Sequence, residues 1–206
     1  MPKIKNVIFD LGGVLLNIDS DAVARNLASI GLDPIKVFEN HDVKDLLLEF
    51  ETGRVTTSEF RARMKKHIGR EDLDDATFDL IWCSILLDFN PRSIETLRGI
   101  RQKYRVFLLS NTNQLHYDSF SADFLRHFGY SFDSLFEQAF YSFRMGLAKP
   151  DCAIFEAVLT SLSLSPDETL FIDDTLANTE AASLLGLHTI HVVRNAGVSD
   201  LPDFFS

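Results

Sequence analysis

Cysteine is scarce in this chain, and its two cysteines lie far apart. Cys83 and Cys152 are the only ones among 206 residues. Two thiols at this separation favour free, buried cysteines in a reducing compartment over a disulfide framework or a zinc site. Long apolar runs are also missing, and the amino terminus, Met-Pro-Lys-Ile-Lys, has no apolar signal segment. We therefore expect a cytoplasmic protein without a membrane partner.

Positive charge is also in short supply. The chain has 20 lysines and arginines against 30 aspartates and glutamates, a formal net charge of -10. This balance argues against a nucleic acid or an anionic membrane as partner, because both need a basic surface. An anionic substrate would need positive charge concentrated at its own site. Length and composition fit one sizeable soluble domain, or a core with a small second lobe.

Short apolar runs recur along the chain and predict strands. The first ends at Asp10 and is followed by the turn residues Gly12 and Gly13. The runs lie at 7–9, 104–109, 169–172 and 188–193, and the stretch 135–143 is a further candidate. Because strands that alternate with helices pair in parallel through right-handed crossovers, the predicted fold is α/β with a parallel sheet.

Between about residues 19 and 88 the apolar residues follow helical spacing, and no strand is predicted. The expected helices cover 21–32, 43–50, a helix that opens at the capping box Thr56–Glu59, and 73–87. Asn90 and Pro91 then suit the N-cap and the first position of a new helix. We therefore divide the chain into a core, residues 1–16 and 90–206, and an inserted helical unit, residues 17–89.

Polar residues follow three of the predicted strands. They are Asp10, the pair Ser110-Asn111 and the pair Asp173-Asp174. The carboxyl ends of parallel strands meet at one edge of a sheet, which is where open α/β folds place their sites. Lys149 lies on a loop between the second and third groups. Each residue alone has a simpler interpretation, as a helix cap or as a solvated lysine, but together they predict a site.

The residue types in this group suit phosphoryl transfer. Three carboxylates at one edge repel each other unless a hard cation holds them, and oxygen ligands suit Mg²⁺. A carboxylate such as Asp10 can also act as a nucleophile. The charge that spreads over a transferring phosphoryl group needs a metal ion, an ammonium such as Lys149 and short hydrogen-bond donors such as Ser110 and Asn111.

Nearly the whole chain resembles the haloacid dehalogenase superfamily of hydrolases. The resemblance rests on four segments in order, Phe9–Leu15, Leu109–Thr112, Lys149-Pro150 and Phe171–Asp174. It implies a Rossmann-like core, a small helical cap after the first segment, a Mg²⁺ cofactor and an aspartyl nucleophile. The implied roles are Asp10 as nucleophile and metal ligand, Ser110 and Asn111 as phosphoryl-binding residues, Lys149 as partner of nucleophile and phosphate, and Asp173 and Asp174 as holders of Mg²⁺.

Within the superfamily, the stretches 9–14, 109–113, 144–150 and 173–178 look like those of the branch that contains the bacterial α-D-glucose-1-phosphate phosphatase. One position departs from typical phosphatases of the superfamily, which have a second aspartate two residues after the nucleophile, as general acid and base. Gly12 stands there, and only its backbone carbonyl could ligate a metal. Asp19 could substitute if the chain folds back over the site, but an ordinary capping role for Asp19 is the simpler interpretation.

The sequence therefore predicts a Mg²⁺-dependent phosphatase of a small phosphorylated metabolite, expected to be a sugar phosphate, with an aspartyl-phosphate intermediate. Losing a general acid harms an anomeric or acyl phosphate less than an alkyl phosphate, because its leaving group is better. Two alternatives stay open: a metal-independent hydrolase like the haloacid dehalogenases, and a catalytically silent member that binds a ligand or a protein. The oligomeric state is not predicted.

Overall fold

The computed structural model of the chain describes residues 4–198. The strands of this part are β1 (Asn6–Phe9), β2 (Leu16–Ile18), β3 (Leu86–Phe89), β4 (Arg105–Ser110), β5 (Gln138–Tyr141), β6 (Thr169–Asp173) and β7 (His188–His191). The α-helices are α1 (Ala22–Ser29), α2 (Pro34–Glu39), α3 (His41–Glu51), α4 (Thr57–His67), α5 (Asp75–Trp82), α6 (Pro91–Ile100), α7 (Gln114–Phe128), α8 (Ser142–Met145), α9 (Cys152–Leu162) and α10 (Leu176–Leu184). None of the helices described is long and apolar enough to cross a bilayer.

Five strands form one parallel sheet in the order β5-β4-β1-β6-β7. The strand β1 is central, and Phe9 at its end pairs with Leu108 of β4 and Ile172 of β6. The carboxyl ends of these three strands are therefore neighbours. This arrangement confirms the predicted α/β fold with a parallel sheet.

The central strands are apolar throughout because helices cover both faces of the sheet. Successive side chains of a strand point to opposite faces. Thus Val7 and Phe9 belong to one buried cluster together with Phe120 and Phe124 of α7. Ile8 belongs to a second cluster, with residues of α9 and α10. Burial on both faces fixes the register of β1, and with it the position of the residue that follows.

The helices α1 to α5 form an insertion between β2 and β3, with a third buried cluster that also includes Leu115 of α7. The expectation of helix over 73–87 is wrong at its end, because α5 stops at Trp82 and Leu86–Phe89 form β3. The strands β2 and β3 pair antiparallel, which the sequence did not predict. Phe89 packs its ring against Phe124 and Phe132 of the core, with centroid distances of 4.9 and 5.2 Å. The boundaries of 17 and 89 remain a prediction.

The predicted helix caps, strand ends and cysteines agree with the structure only in part. The capping box at Thr56 and Glu59 is present, and Asn90 caps α6 with Pro91 at its first position. The candidate strand at 135–143 is β5, although only Gln138–Tyr141 are strand and α8 begins at Ser142. The last strand ends at His191 rather than at residue 193. Both cysteines are free and half-buried.

The insertion touches the core through the turn that follows α3. Gly53 in this turn has a φ of +67°, and a Cβ atom there would lie 2.0 Å from the carbonyl oxygen of Phe143 in α8. Only glycine allows both the left-handed backbone and this close approach. We expect Gly53→Ala to lower the free energy of unfolding by about 2–4 kcal/mol, from strain and from separation of the turn and α8.

Gly69, in the turn after α4, supplies the matched control. Its φ is +65°, and nothing lies within 4 Å of a Cβ atom built there. Gly69→Ala should therefore show the backbone strain alone, about 1 kcal/mol. Urea unfolding of the two variants measures the difference. Equal losses of stability would show that the contact with Phe143 contributes nothing.

Candidate active site

Three neighbouring strands deliver the acidic residues of the site. Asp10 directly follows β1, Asp173 is the last residue of β6, and Asp174 comes next. Carboxylate oxygens of these three residues lie within 4.8 Å of one another. The predicted convergence at the carboxyl edge of the sheet is therefore present in the structure.

Lys149 lies between two of these carboxylates. Its Nζ donates to Asp10 Oδ1 at 2.7 Å, to Asp173 Oδ2 at 2.6 Å and to the carbonyl oxygen of Leu109 at 2.9 Å. The Lys149 side chain is 0% exposed. All three ammonium protons thus have acceptors, as a buried charge requires. Lys149 is a fixed counter-ion of the site rather than a solvated loop lysine.

Burial and the charge of the partner shift the pKa values of Asp10 and Lys149 in opposite directions. Burial raises the pKa of the Asp10 carboxyl to about 7, against the lowering effect of Lys149 and with a further rise from Asp173. Burial alone would lower the pKa of the Lys149 ammonium, but Asp10 and Asp173 outweigh it and hold the pKa above its ordinary value. Lys149 is therefore charged at neutral pH.

The loop that presents Lys149 is held by Asn111. The Asn111 amide donates to the carbonyl oxygen of Lys149 at 2.8 Å and accepts from its backbone N–H at 2.9 Å. Ser110, at the end of β4, is buried, and its hydroxyl makes only a long contact of 3.4 Å to the carbonyl oxygen of Asn111. The Ser110 hydroxyl is therefore held only by this long hydrogen bond, whereas the Asn111 side chain is engaged in positioning Lys149.

The two glycines after Asp10 differ in what surrounds them. A Cβ atom on Gly12 would meet only Ile18, at 3.6 Å or more, so the place of a second aspartate is bordered by an apolar side chain. Gly13 has a φ of +78°, and a Cβ atom there would lie 2.5 Å from Asp174 Oδ2. Gly13 therefore lets the backbone after the first acid pack directly against the third.

The carboxylate of Asp19 is occupied by contacts outside the acidic cluster. It forms an ion pair with Arg25 and accepts from the backbone N–H of Asp21 at 3.1 Å, at the start of α1. The hydrogen bond from Arg25 holds the pKa of Asp19 below its usual value. A carboxylate that stays ionised and paired is a poor general acid. The N-cap position of α1 is Asp21, which makes no side-chain cap, so the predicted capping role of Asp19 is wrong in position: Asp19 stabilises the turn before the helix.

Several residues near the acids were not among the predicted site residues. Asn178 of α10 donates to both oxygens of Asp173, at 3.1 and 3.0 Å, and the backbone N–H of Thr175 donates to Oδ1 at 2.8 Å. Arg194 forms an ion pair with Asp174. Asn195 binds the backbone N–H and carbonyl of Ile18 at 2.9 and 2.8 Å. Only the position of Asn178, one turn after an acidic strand end, could have suggested its role.

A histidine of α7 joins the core to the insertion. His116 of α7 lies against the ring of Trp82, and its Nε2 donates to the Trp82 carbonyl oxygen at 3.2 Å. Its Nδ1 lies 3.2 Å from Asn113 Nδ2, which donates to it when the ring is neutral. Burial lowers the pKa of His116 to about 4. The packed ring is therefore neutral at pH 7.

We expect this histidine to make the fold sensitive to acid. Because its pKa is lower in the folded than in the unfolded chain, the unfolded chain binds the proton first, and stability falls as the pH drops from about 6.5 towards 4. At pH 5 the loss is about 2 kcal/mol. Urea unfolding at pH 7 and pH 5 should show this loss for the wild type and a smaller one for His116→Gln. The same pH dependence in both proteins would contradict the assignment.

The acidic cluster fits a hard divalent cation by its donor set. Its oxygens come from carboxylates, and all three side chains are almost fully buried. Asp173 already accepts hydrogen bonds from Lys149, Thr175 and Asn178. Asp10 and Asp174 each keep oxygen lone pairs that could bind a metal ion. Oxygen ligands with open positions are those that Mg²⁺ prefers.

Comparison with known proteins agrees with this geometry. The family model of the haloacid dehalogenase-like hydrolases matches residues 4–186. The chain belongs to this family. A D-ribitol-5-phosphate phosphatase of Bacteroides thetaiotaomicron is 29% identical over 187 residues, which are 90% of each chain.

Solved structures of the family superpose closely. A family enzyme from Bacteroides thetaiotaomicron, in complex with magnesium and inorganic phosphate, has a TM-score of 0.88 at 33% identity and covers 98% of this chain and 100% of its own. A family hydrolase from Porphyromonas gingivalis has a TM-score of 0.83 at 36% identity and covers 94% and 92%. The Rossmann-like core with a helical cap, expected from the resemblance, is thus confirmed for this haloacid dehalogenase-like hydrolase.

Proposed function

We propose that this chain is a Mg²⁺-dependent phosphatase of small polyol or sugar phosphates that works through an aspartyl-phosphate intermediate. The observation that carries the proposal is the buried Asp10–Lys149–Asp173 network with Asp174 beside it. Lys149 holds one oxygen of Asp10, which leaves the other to attack phosphorus. The relatives that act on ribitol 5-phosphate or contain magnesium and phosphate support the substrate class and the cofactor.

In this proposal the chain's residues have separate tasks. Asp10 attacks the phosphorus atom, the P–O bond to the alcohol breaks, and water then hydrolyses the phosphoaspartate. Lys149 lowers the pKa of Asp10 against the effect of burial and faces the developing charge, and Ser110 donates to a phosphoryl oxygen. Asp10, the Gly12 carbonyl and Asp174 would hold Mg²⁺, with Asp173 supporting the site, and the ion would neutralise charge on the phosphoryl oxygens. The free cysteines accord with the expected cytoplasmic location.

Phosphate release tests the proposal directly. The purified protein is assayed against sugar 1-phosphates, sugar and polyol 5-phosphates, acyl phosphates and 2-haloacids, with Mg²⁺ and with EDTA. We expect Mg²⁺-dependent release of phosphate from at least one polyol or sugar ester. Metal-independent release of halide would favour the dehalogenase alternative. A folded protein that turns over none of these compounds would favour a silent, binding member.

Gly12 leads to a prediction about the leaving group. With no acid at this position and Ile18 beside it, the leaving alkoxide must take its proton from water. Turnover should therefore depend steeply on the pKa of the leaving alcohol. Gly12→Asp fits the available space, and it should raise kcat for an alkyl phosphate at least tenfold while changing kcat for an aryl phosphate little.

Gly12→Asn is the control, since it has the same shape and cannot donate a carboxyl proton. A plot of log kcat against leaving-group pKa, measured for the three proteins, makes the comparison. A shallow slope for the wild type would mean that another acid protonates the leaving group.

A further inference from the structure

Asp174 differs from the other two acids of the cluster in its counter-ion. Asp10 and Asp173 share Lys149, whereas Asp174 Oδ2 accepts from Arg194 Nε. The Asp174 side chain is 4% exposed, and that of Arg194 is 46% exposed. Arg194 therefore reaches from the surface to the one acid that Lys149 leaves free.

The position of Asp174 does not depend on Arg194 alone. The carboxylate packs against the backbone of Gly13, and Thr175 Oγ1 donates to its other oxygen at 3.2 Å. The carbonyl oxygen of Asp174 lies 2.9 Å from His191 Nε2. These contacts hold the residue from three sides, so the main contribution of Arg194 is its positive charge.

The positive charge of Arg194 affects the binding of a metal ion and the binding of a phosphate group in opposite directions. When all three carboxylates are ionised, they give the cluster, together with Lys149 and Arg194, one net negative charge. A bound divalent cation then makes the site positive by one, which attracts a phosphate dianion. Without Arg194 the empty cluster would attract the cation more strongly, and the loaded site would be neutral towards phosphate.

We propose that Arg194 acts through its charge beside Asp174, weakening the binding of Mg²⁺ and strengthening the binding of the phosphoryl group to the loaded site. The inference rests on the proposed function, because it assumes that both ligands bind at this cluster. It assigns a role in substrate and metal affinity to a residue outside the four family segments.

Two binding measurements without turnover test it. Isothermal titration of the purified protein with Mg²⁺ gives the metal affinity, and titration with inorganic phosphate at saturating Mg²⁺ gives the anion affinity. For Arg194→Gln we expect Mg²⁺ to bind about tenfold more tightly and phosphate about tenfold more weakly. Arg194→Lys, which keeps the charge, should stay within about threefold of the wild type for both.

Arg126→Gln is the matched control, since it removes the same charge from an exposed ion pair with Asp123 and should change neither affinity. Opposite shifts in Arg194→Gln support the inference, because structural damage would weaken both ligands together. Parallel weakening, or no change, would overturn it while leaving the proposed function intact. A wild-type protein that binds neither Mg²⁺ nor phosphate would overturn both.

Discussion

Asp10→Asn is expected to reduce phosphate release at least a thousandfold while the protein still folds. The amide has nearly the shape of the carboxylate but cannot form an acyl phosphate, so the covalent route is closed. Asp173 remains as a partner for Lys149, and the buried ammonium therefore keeps one counter-ion. The loss should appear in kcat rather than in the unfolding curve.

Detection of a phosphoryl adduct on the protein tests the same prediction directly. Acid quenching of the wild type during turnover, followed by peptide mass spectrometry, should place the adduct on Asp10 and should find none in Asp10→Asn. The exposed Asp42→Asn is the control for the chemistry of the substitution, with turnover as in the wild type. Residual turnover of a tenth or more in Asp10→Asn would point to direct attack by water instead.

Lys149→Met is expected to have the largest effect on stability. Removing the ammonium leaves Asp10 and Asp173 buried side by side without a cation, and breaking a buried ion pair from one side costs about 3–5 kcal/mol. The methionine fills most of the volume, so packing contributes little of the loss. Urea unfolding without metal measures the effect, and turnover should be lost as well.

Added Mg²⁺ should restore part of this stability, because a ligand that binds only the folded state stabilises it and here also replaces the missing charge. The double variant Lys149→Met/Asp173→Asn should likewise be more stable than Lys149→Met alone. Lys103→Met, at an exposed position, should unfold as the wild type does. If Lys149→Met is as stable as the wild type without metal, Asp10 and Asp173 must already be neutral there.

The sequence predicts the central part of the fold well because local pattern decides it. The apolar runs before Asp10 and Asp173 are buried on both faces of the sheet, and parallel pairing alone brings their ends together. The pair β2–β3 was missed because its partners, Leu16 and Phe89, are distant in the chain. Leu86 also continues the apolar spacing of the preceding helix, so periodicity could not separate strand from helix there.

Some residues of the site could likewise be predicted from the sequence, and others could not. Motif spacing predicts Asp10, Lys149, Asp173 and Asp174, since each stands at a strand end or on the loop between strands. Arg194 and His116 were missed because their partners, Asp174 and Trp82, are fixed only when separate elements pack. Contacts between separate elements do not produce a periodic pattern in the sequence.

The pairing of β2 with β3 has a consequence for how this protein can diversify. The chain leaves the core and returns to it at adjacent points, with Leu16 opposite Phe89. Everything between these points can lengthen, shorten or be exchanged for another module without disturbing the order of the five central strands. A chimaera joined at this ribbon should therefore keep the five-stranded sheet, the three acids and Lys149 of this chain, whatever helices the donor supplies between the two joints.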